Sequence, residues 1–313
     1  MNRLIYVPQY PSKMRYSEWF LPEFTKQFES SYDNVIILGK DSLSNIHRSD
    51  KEMFSPIDEA IKFELEQIDE FLDLQLDNKT DTLFLADISF PGLFVNSLYH
   101  RQSFINNFCY CHATSKNYLD YFEKVRYSKW MNETSQSKMF KKVFLATEYH
   151  KRKLGWDNTY ITSLPSHNHK YYKNEKKIRN IISVARPTPQ KVDEKIEFEI
   201  EYKYGKIERS NFNNWNDYYK FIGESKILIS TANEETFGFQ ILDAINNNCV
   251  PIAPNNYSYP ELLPREYLYD NIEELISIID KILNGELKVP KLLDENLINS
   301  FFFNIIDIMK SEV

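Results

Sequence analysis

Short apolar runs alternate with helix-length segments along most of this chain, and that alternation constrains the fold more than any other feature. In the first half the predicted strands are Leu4–Val7, Val35–Leu38, Leu83–Ala86, Phe108–Cys111 and Val143–Ala146. The segments between them, 17–29, 57–76, 93–106 and 117–138, have the length of helices. Continuous apolar strands separated by helices are typical of a parallel sheet that is buried on both faces.

The same alternation restarts near residue 178. It predicts strands at Ile178–Ala185, Lys226–Ile229 and Cys249–Ala253, and helices at 214–222, 238–246, 272–283 and about 294–309. The segment 166–177 is polar and lacks apolar periodicity, so we expect it to be the linker. A chain of 313 residues has the length of two domains. The sequence therefore predicts an α/β fold of two Rossmann-like, doubly wound domains that face a cleft.

The expected boundaries are an N-terminal domain over 1–172, a C-terminal domain over 173–292 and a C-terminal helix over 293–313. This last helix could cross back to the N-terminal domain. The chain has no apolar run long enough for a membrane span and no secretory leader pattern. Its three cysteines do not make a disulfide framework and are expected to be reduced thiols. These features predict a cytoplasmic protein.

Several common site motifs are absent from the sequence. It contains only seven glycines and neither G-x-G-x-x-G nor G-x-x-x-x-G-K-[ST], which argues against a typical dehydrogenase or P-loop enzyme. His167 and His169 form an H-x-H pair without further ligands nearby, so no metal site is predicted. The metal-binding motif D-x-D does not occur either.

Two stretches of the C-terminal half carry residues suited to a diphosphate. In S-V-A-R-P-T-P-Q-K, Arg186 follows a predicted strand and Lys191 comes five residues later. A guanidinium fork and an ammonium on one loop suit a diphosphate, although both could also be solvated loop cations. In the second stretch, Glu235 precedes a predicted helix and Asp243 lies within it. A helix N-terminus favours an anion and Gly238 would allow close approach, although Glu235 could simply cap the helix.

Four motifs in order resemble those of retaining GT-B glycosyltransferases, known as glycosyltransferase group 1 or family 4. They are A-R-P-T-P-Q-K at 185–191, E-T-F-G-F-Q-I-L-D at 235–243, V-P-I-A at 250–253 and P-E-L at 260–262. The resemblance implies transfer of a sugar from a nucleoside-diphosphate sugar, with retention of anomeric configuration and no obligatory cofactor. A UDP-sugar is the donor we expect first.

The resemblance also implies roles for the residues that match the motifs. Arg186 and Lys191 would hold the donor diphosphate and stabilise the leaving nucleotide. Glu235 would contact hydroxyls of the transferred sugar. In the N-terminal domain, His112 ends a strand where relatives often place an active-site histidine, although a strand-end histidine can equally be structural.

Further donor contacts are implied along the second motif. Phe237, Gly238 and Phe239 would present backbone groups to the sugar or the phosphate. The second glutamate of the family, which holds the ribose, is here Asp243, whose side chain is one methylene shorter. Glu261 would lie near the same pocket.

Acceptor choice is expected in the N-terminal domain, where residues 101–173 carry 13 Lys/Arg against 5 Asp/Glu in a chain of net charge −7. Cations and aromatic side chains interleave there, which suits a nucleic acid, an anionic membrane surface or an ordinary solvated helical face. The predicted polyanion-binding residues are Lys124, Arg126, Lys129, Trp130, Lys141 and Lys142.

The favoured acceptor is a hydroxylated base in duplex DNA, as in a phage DNA-modifying sugar transferase. A cell-surface glycan or glycolipid is the alternative acceptor. A catalytically inactive GT-B binding module is a third interpretation, for which the aspartate at position 243 is the only hint.

Overall fold

Each predicted strand forms part of one of two parallel sheets in the structure, a computed structural model that describes residues 3–40, 57–77, 79–100, 106–119 and 121–313. The chain divides into two units. Unit 1 comprises Met1–Ala146, Lys151–Pro165 and Ser300–Val313, and unit 2 comprises Thr147–His150 and Ser166–Asn299.

Unit 1 is built on a six-stranded parallel sheet in the order β2-β1-β3-β4-β5-β6. Because β1 lies between β2 and β3, the chain changes direction across the sheet at β1, which is the switch point where α/β sheets bind ligands beside their carboxyl ends. The strands are β1 Arg3–Val7, β2 Asn34–Ile37, β3 Asp81–Leu85, β4 Asn107–Tyr110, β5 Lys142–Leu145 and β6 Thr159–Ile161.

Helices of unit 1 cover this sheet with aromatic side chains. Phe20, Phe24 and Phe28 of α1 are spaced one turn apart and are buried. The ring of Phe24 packs 5.7 Å from that of Phe301, so the C-terminal helix α11 (Phe301–Ser311) completes the same core. The helices are α1 Tyr16–Glu29, α2 Ile57–Asp73, α3 Phe94–Tyr99, α4 Arg126–Ser137, α5 Glu148–Leu154, whose first residues belong to unit 2, and α11 Phe301–Ser311.

Unit 2 has a four-stranded parallel sheet in the order β10-β9-β8-β7. Its strands β7 and β8 pair with Ile182 opposite Leu228, and both residues are fully buried. The strands are β7 Arg179–Ile182, β8 Ser225–Ile229, β9 Val250–Pro254 and β10 Leu268–Tyr269. The helices are α6 Glu194–Tyr204, α7 Trp215–Gly223, α8 Phe239–Asn246, α9 Ile272–Leu283 and α10 Glu295–Asn299.

The structure differs from the predicted elements in a few places. The helix expected over 117–138 begins only at Arg126, after turns in its first part. The one expected over 93–106 spans Phe94–Tyr99, and its residues 101–105, like residue 120, lie outside the described residues. Ser300 separates the final helical segment into α10 and α11. The elements β6, α6 and β10 were not predicted.

Candidate functional site

Two loops that leave the carboxyl ends of β7 and β8 are held side by side in unit 2. The backbone N–H of Asn233 donates to the carbonyl of Gln190 at 2.9 Å, and its side-chain amide donates to the carbonyl of Pro189 at 2.9 Å. The N–H of Asp193 donates to Thr231 Oγ1 at 3.1 Å. The loop that carries the predicted cations is therefore fixed beside the loop that carries Glu235.

Lys191 and Glu235 form an ion pair at the centre of these loops. Lys191 Nζ lies 2.9 Å from Glu235 Oε2 and donates to the carbonyl of Glu234 at 3.0 Å. The two side chains are only 16% and 15% exposed. Glu235 Oε1 accepts from the N–H of Thr236 at 3.1 Å and, more weakly, from that of Phe237 at 3.4 Å. The structure thus brings the predicted phosphate lysine, the predicted sugar-binding carboxylate and the segment leading into α8 together.

The turn into α8 requires a glycine. Gly238 has φ of +105°, and a Cβ there would lie 3.1 Å from Cε1 of Tyr259. The preceding Phe237 is buried, and its carbonyl accepts from the hydroxyl of Ser258 at 2.7 Å. Its ring meets that of Phe239 edge to face at 5.2 Å. These contacts fix the start of α8 at the carboxyl edge of the sheet, where the helix dipole favours an anion.

Arg186 lies in the loop after β7, and its carbonyl accepts from the N–H of Thr188 at 2.7 Å. A second arginine, which the sequence analysis did not single out, borders the same loop. Arg209 donates to the carbonyl of Ala185 at 3.1 Å and to both carboxylate oxygens of Glu197 at 2.5 and 2.6 Å. No motif marks Arg209, because its contacts join residues far apart in the chain.

Asp243, the predicted ribose ligand, belongs to a buried hydrogen-bond network. The side chain accepts from the hydroxyl of Tyr218 at 2.9 Å. Burial raises the pKa of Asp243 to about 7, although hydrogen bonds from Tyr218 and Tyr219 oppose the rise. The Tyr219 hydroxyl lies 2.9 Å from Nδ1 of His167, whose pKa burial lowers to about 4. A ribose contact by Asp243 stays a prediction, and it would have to coexist with this network.

Glu261 stabilises the first turn of α5. Its carboxylate oxygens accept from the N–H groups of Glu148 at 2.8 Å and Tyr149 at 2.6 Å. A carboxylate at this position satisfies helix N–H groups that have no partner within the helix. The Tyr149 hydroxyl in turn donates to Glu234 Oε1 at 2.9 Å. The structure thereby gives Glu261 a structural contact, and its contact with donor stays a prediction.

In unit 1, His112 follows β4 and packs among aromatic rings. Its imidazole lies 4.6 Å from the ring of Tyr16, 4.5 Å from that of Tyr110 and 5.5 Å from that of Phe20. The side chain is buried. These contacts agree with a structural histidine, so a catalytic role for His112 stays a prediction.

Asp87 is a candidate residue of unit 1 that the sequence analysis missed. It follows β3, and its carboxylate accepts hydrogen bonds from Gln9 Nε2 at 2.6 Å and from the N–H of Ser89 at 3.1 Å. Burial raises its pKa to about 7, against hydrogen bonds from Ser89, Gln9 and the N–H of His112. Gln9 follows β1, so Asp87 sits at the switch point between β1 and β3. The signal in the sequence was a carboxylate directly after the run L-F-L-A.

The predicted polyanion-binding residues do not form one surface. Because α4 connects β4 to the parallel strand β5, its first turn lies at the carboxyl edge of the sheet and its last turn at the amino edge. Lys124 and Arg126 lie at the carboxyl edge, just before and at the start of α4. Lys142 begins β5 at the opposite edge, where its Nζ lies 3.3 Å from Glu312 Oε1, and Lys141 bonds the Glu312 carbonyl.

Two more of the predicted residues point inward. Lys129 Nζ donates to the carbonyl of Pro91 at 3.0 Å and lies 4.7 Å from the ring of Phe122, and burial lowers its pKa. The Trp130 ring stacks on that of Trp156 at 5.7 Å. Of the six predicted residues, Lys124 and Arg126 are therefore the ones that offer charge near the carboxyl edge.

Comparisons with known proteins agree with this architecture. No protein-family model matches the chain. The tRNA-queuosine alpha-mannosyltransferase of Drosophila melanogaster is 40% identical over 72 residues, which make up 23% of this chain and only 18% of that protein. Among solved structures, the apo form of the lipopolysaccharide outer core galactosyltransferase WaaB has a TM-score of 0.63 at 14% identity, over 99% of this chain and 100% of that chain.

An Anabaena protein, HepE, solved in complex with UDP and glucose, has a TM-score of 0.62 at 11% identity, over 99% of this chain and 95% of that chain. At these identities the likeness is one of fold, and it confirms the predicted α/β fold of the GT-B type. In the described residues, none of the helices combines the length and hydrophobicity needed to cross a bilayer. The same residues contain no group of three or more His, Cys, Asp or Glu side chains arranged to hold a metal ion.

Proposed function

We propose that this protein is a glycosyltransferase that takes its sugar from a nucleoside-diphosphate sugar bound to unit 2. The observation that carries the proposal is the Lys191–Glu235 pair, 2.9 Å apart and beside the start of α8 at the carboxyl edge of the sheet. Solved structures of this fold include a galactosyltransferase and a protein in complex with UDP and glucose. We propose a UDP-sugar as the first donor to test.

The chemistry that we propose follows from where charge develops. When the bond between the sugar and the phosphate breaks, negative charge grows on the leaving diphosphate. Arg186, Lys191 and the N-terminus of α8 would stabilise that charge. Glu235 would contact sugar hydroxyls while its neighbour Lys191 contacts phosphate. The motif resemblance supports retention of anomeric configuration, through an oxocarbenium-like transition state.

The acceptor that we propose is a hydroxyl group of a modified nucleoside in a nucleic acid. The exposed cations Lys124 and Arg126 near the carboxyl edge of the sheet support a polyanionic acceptor. A relative that is 40% identical over 72 residues is named for mannosyl transfer to queuosine in tRNA. RNA is therefore the first acceptor to test. A hydroxylated base in duplex DNA, as in phage DNA, is the second.

The proposal is tested by incubating the protein with UDP-, GDP- and ADP-sugars and with either bulk tRNA or hydroxymethylated DNA. The nucleic acid is then digested to nucleosides and analysed by mass spectrometry. A nucleoside heavier by one sugar residue, formed only with donor and enzyme together, is the expected result. If no donor is hydrolysed or transferred and none raises the melting temperature, the proposal fails. A rise in melting temperature without hydrolysis or transfer would instead indicate an inactive binding module.

A further inference from the structure

Three solvent-exposed tyrosine rings lie in unit 1 between the end of β4 and the first turn of α4. The side chains of Tyr118 and Tyr127 are 51% and 79% exposed, and Tyr121 is exposed as well. Tyr121 also meets the rings of Phe90 and Phe122 edge to face, at 5.5 and 5.1 Å, so its position is supported from one side. The three rings lie within ten residues of one another and are 38–79% exposed, so each presents part of an aromatic face that a ligand can reach. Tyr118 and Tyr121 follow β4, at the carboxyl edge where sheets of this type bind ligands.

Cationic side chains accompany these rings. The guanidinium of Arg126 lies 6.0 Å from the centre of the Tyr118 ring, and one of its nitrogens donates to the carbonyl of Lys116 at 3.2 Å. Lys124 is exposed beside it. Glu123 lies 3.8 Å from Arg126, but both side chains are about 40% exposed and such a pair is weak in water. The surface therefore combines aromatic faces with positive charge.

This combination suits unpaired bases better than a duplex or a membrane. A duplex hides the faces of its bases and presents phosphates, which need more exposed cations than Lys124 and Arg126 supply. A helix that lies in a membrane interface carries a broad face of large apolar side chains opposite a strongly basic face. Here Val125 and Met131 are exposed, but Trp130 points inward and the exposed cations beside the rings are Lys124 and Arg126. Unpaired bases stack on aromatic rings and leave their phosphates to nearby cations.

We infer that Tyr118, Tyr121 and Tyr127, with Lys124 and Arg126, form a surface that binds the unpaired bases of an RNA loop. The inference rests on the proposed transfer to a nucleic-acid acceptor and specifies its class, a loop whose bases are unstacked rather than a double helix. RNA loops are where proteins generally recognise single nucleosides, because the base can be splayed out and stacked on a side chain.

The test measures binding of a fluorescent RNA hairpin with an unpaired loop, of its blunt-ended stem duplex, and of phosphatidylserine-containing vesicles, all at one salt concentration. The variants are Tyr118→Ala, Tyr127→Ala and the double variant, with Tyr127→Phe as the conservative replacement. Tyr202→Ala is the matched control, because Tyr202 is an 85% exposed tyrosine of unit 2.

We expect each alanine variant to weaken hairpin binding by about 5- to 100-fold, because one base loses its stacking partner. Tyr127→Phe and Tyr202→Ala should bind as the wild type does, and the duplex should bind more weakly than the hairpin. Equal binding of hairpin and duplex, unchanged hairpin binding by the double variant, or tyrosine-dependent binding of the vesicles with none of RNA would each overturn the inference.

Donor binding separates this inference from the proposed function. The rise in melting temperature with a nucleoside diphosphate is measured on the same proteins. If the wild type binds donor and glycosylates a nucleic acid while the double variant still binds the hairpin normally, the inference fails and the function stands. If the wild type neither binds a nucleoside diphosphate nor transfers sugar, the proposed function fails.

Discussion

Replacing Glu235 by glutamine should strengthen the binding of a nucleoside diphosphate while it impairs sugar transfer. Without ligand, the Glu235 carboxylate accepts a charge-assisted hydrogen bond from Lys191 at 2.9 Å, and both side chains are mostly shielded from water. A diphosphate that binds Lys191 has to compete with this carboxylate and is repelled by it. Glutamine keeps the size of the side chain and removes the charge.

The energy of the charge-assisted hydrogen bond sets an upper limit on the effect, because a glutamine amide oxygen can still accept a weaker bond from Lys191. A hydrogen bond to a charged group contributes about 1.5–3 kcal/mol, and each 1.4 kcal/mol corresponds to about a tenfold change in Kd. We therefore expect Glu235→Gln to lower the Kd of the nucleoside diphosphate by up to roughly 10-fold. Transfer should fall, because the proposed contact between Glu235 and the sugar hydroxyls is weakened.

Isothermal titration calorimetry at low salt checks this, with UDP, GDP and ADP as ligands. Glu234→Gln is the matched control, because that neighbouring side chain bonds the Tyr149 hydroxyl at 2.9 Å rather than Lys191. In a Lys191→Met background the gain from Glu235→Gln should largely disappear, since the two changes act on one interaction. An unchanged or weaker affinity for every nucleotide in Glu235→Gln would refute the placement of the diphosphate at Lys191.

Arg186→Ala should lower kcat/KM by about 30- to 1,000-fold, or about 2–4 kcal/mol, because it removes a group that stabilises charge in the transition state. Steady-state kinetics with the identified donor would measure this loss. Near-wild-type kinetics would exclude Arg186 from the diphosphate site. Gly238→Ala should cost about 1–2 kcal/mol of stability in urea unfolding, because its φ is +105° and the new Cβ would lie 3.1 Å from Tyr259. It should also reduce the nucleotide-dependent rise in melting temperature, whereas Gly285→Ala, at φ of +80° with no atom within 4 Å, should not. Burial raises the pKa of Asp243 from 3.8 to about 7. The protonated side chain should therefore contribute fully to stability below pH 4, and this contribution should be lost as the pH rises to about 7. The contribution should be at most about 4 kcal/mol. Asp243→Asn should flatten the free energy of unfolding over that interval, and an unchanged slope would contradict the assignment.

Most strands and the cluster around Lys191 were predictable, because they depend on local patterns. The strands are continuous apolar runs, and the C-terminal motifs lie within short stretches that follow adjacent strands. Helix α6 was not predictable in this way. Ile196, Phe198, Ile200 and Tyr202 alternate with charged residues, a period of two that is typical of a strand.

Capping and tertiary packing decide the conformation of α6 instead. The Asp193 side chain accepts from the N–H groups of Lys195 and Ile196, which begins the helix. Ile200 is fully buried on one side of the helix, and Phe198 and Tyr202 are left in water. The local alternation therefore gives no guide to which side chains the helix buries.

The sites that the sequence did not reveal depend on contacts between distant residues. Asp87 meets Gln9 across 78 residues, and Tyr219 meets His167 across 52. Lys129 and Lys142 belong to one basic stretch of sequence, yet the helix between them separates them to opposite edges of the sheet. Charge composition predicted a polyanion-binding region but not which of its cations are exposed.

We propose that a donor diphosphate binds between the loop of Arg186 and Lys191 and the start of α8. A crystal structure with the nucleoside diphosphate that raises the melting temperature most would test it directly. We predict phosphate oxygens within hydrogen-bonding distance of Lys191 Nζ and the Arg186 guanidinium, beside the first N–H groups of α8. A diphosphate bound elsewhere, with the Lys191–Glu235 pair intact and Arg186 making no contact to it, would contradict the claim.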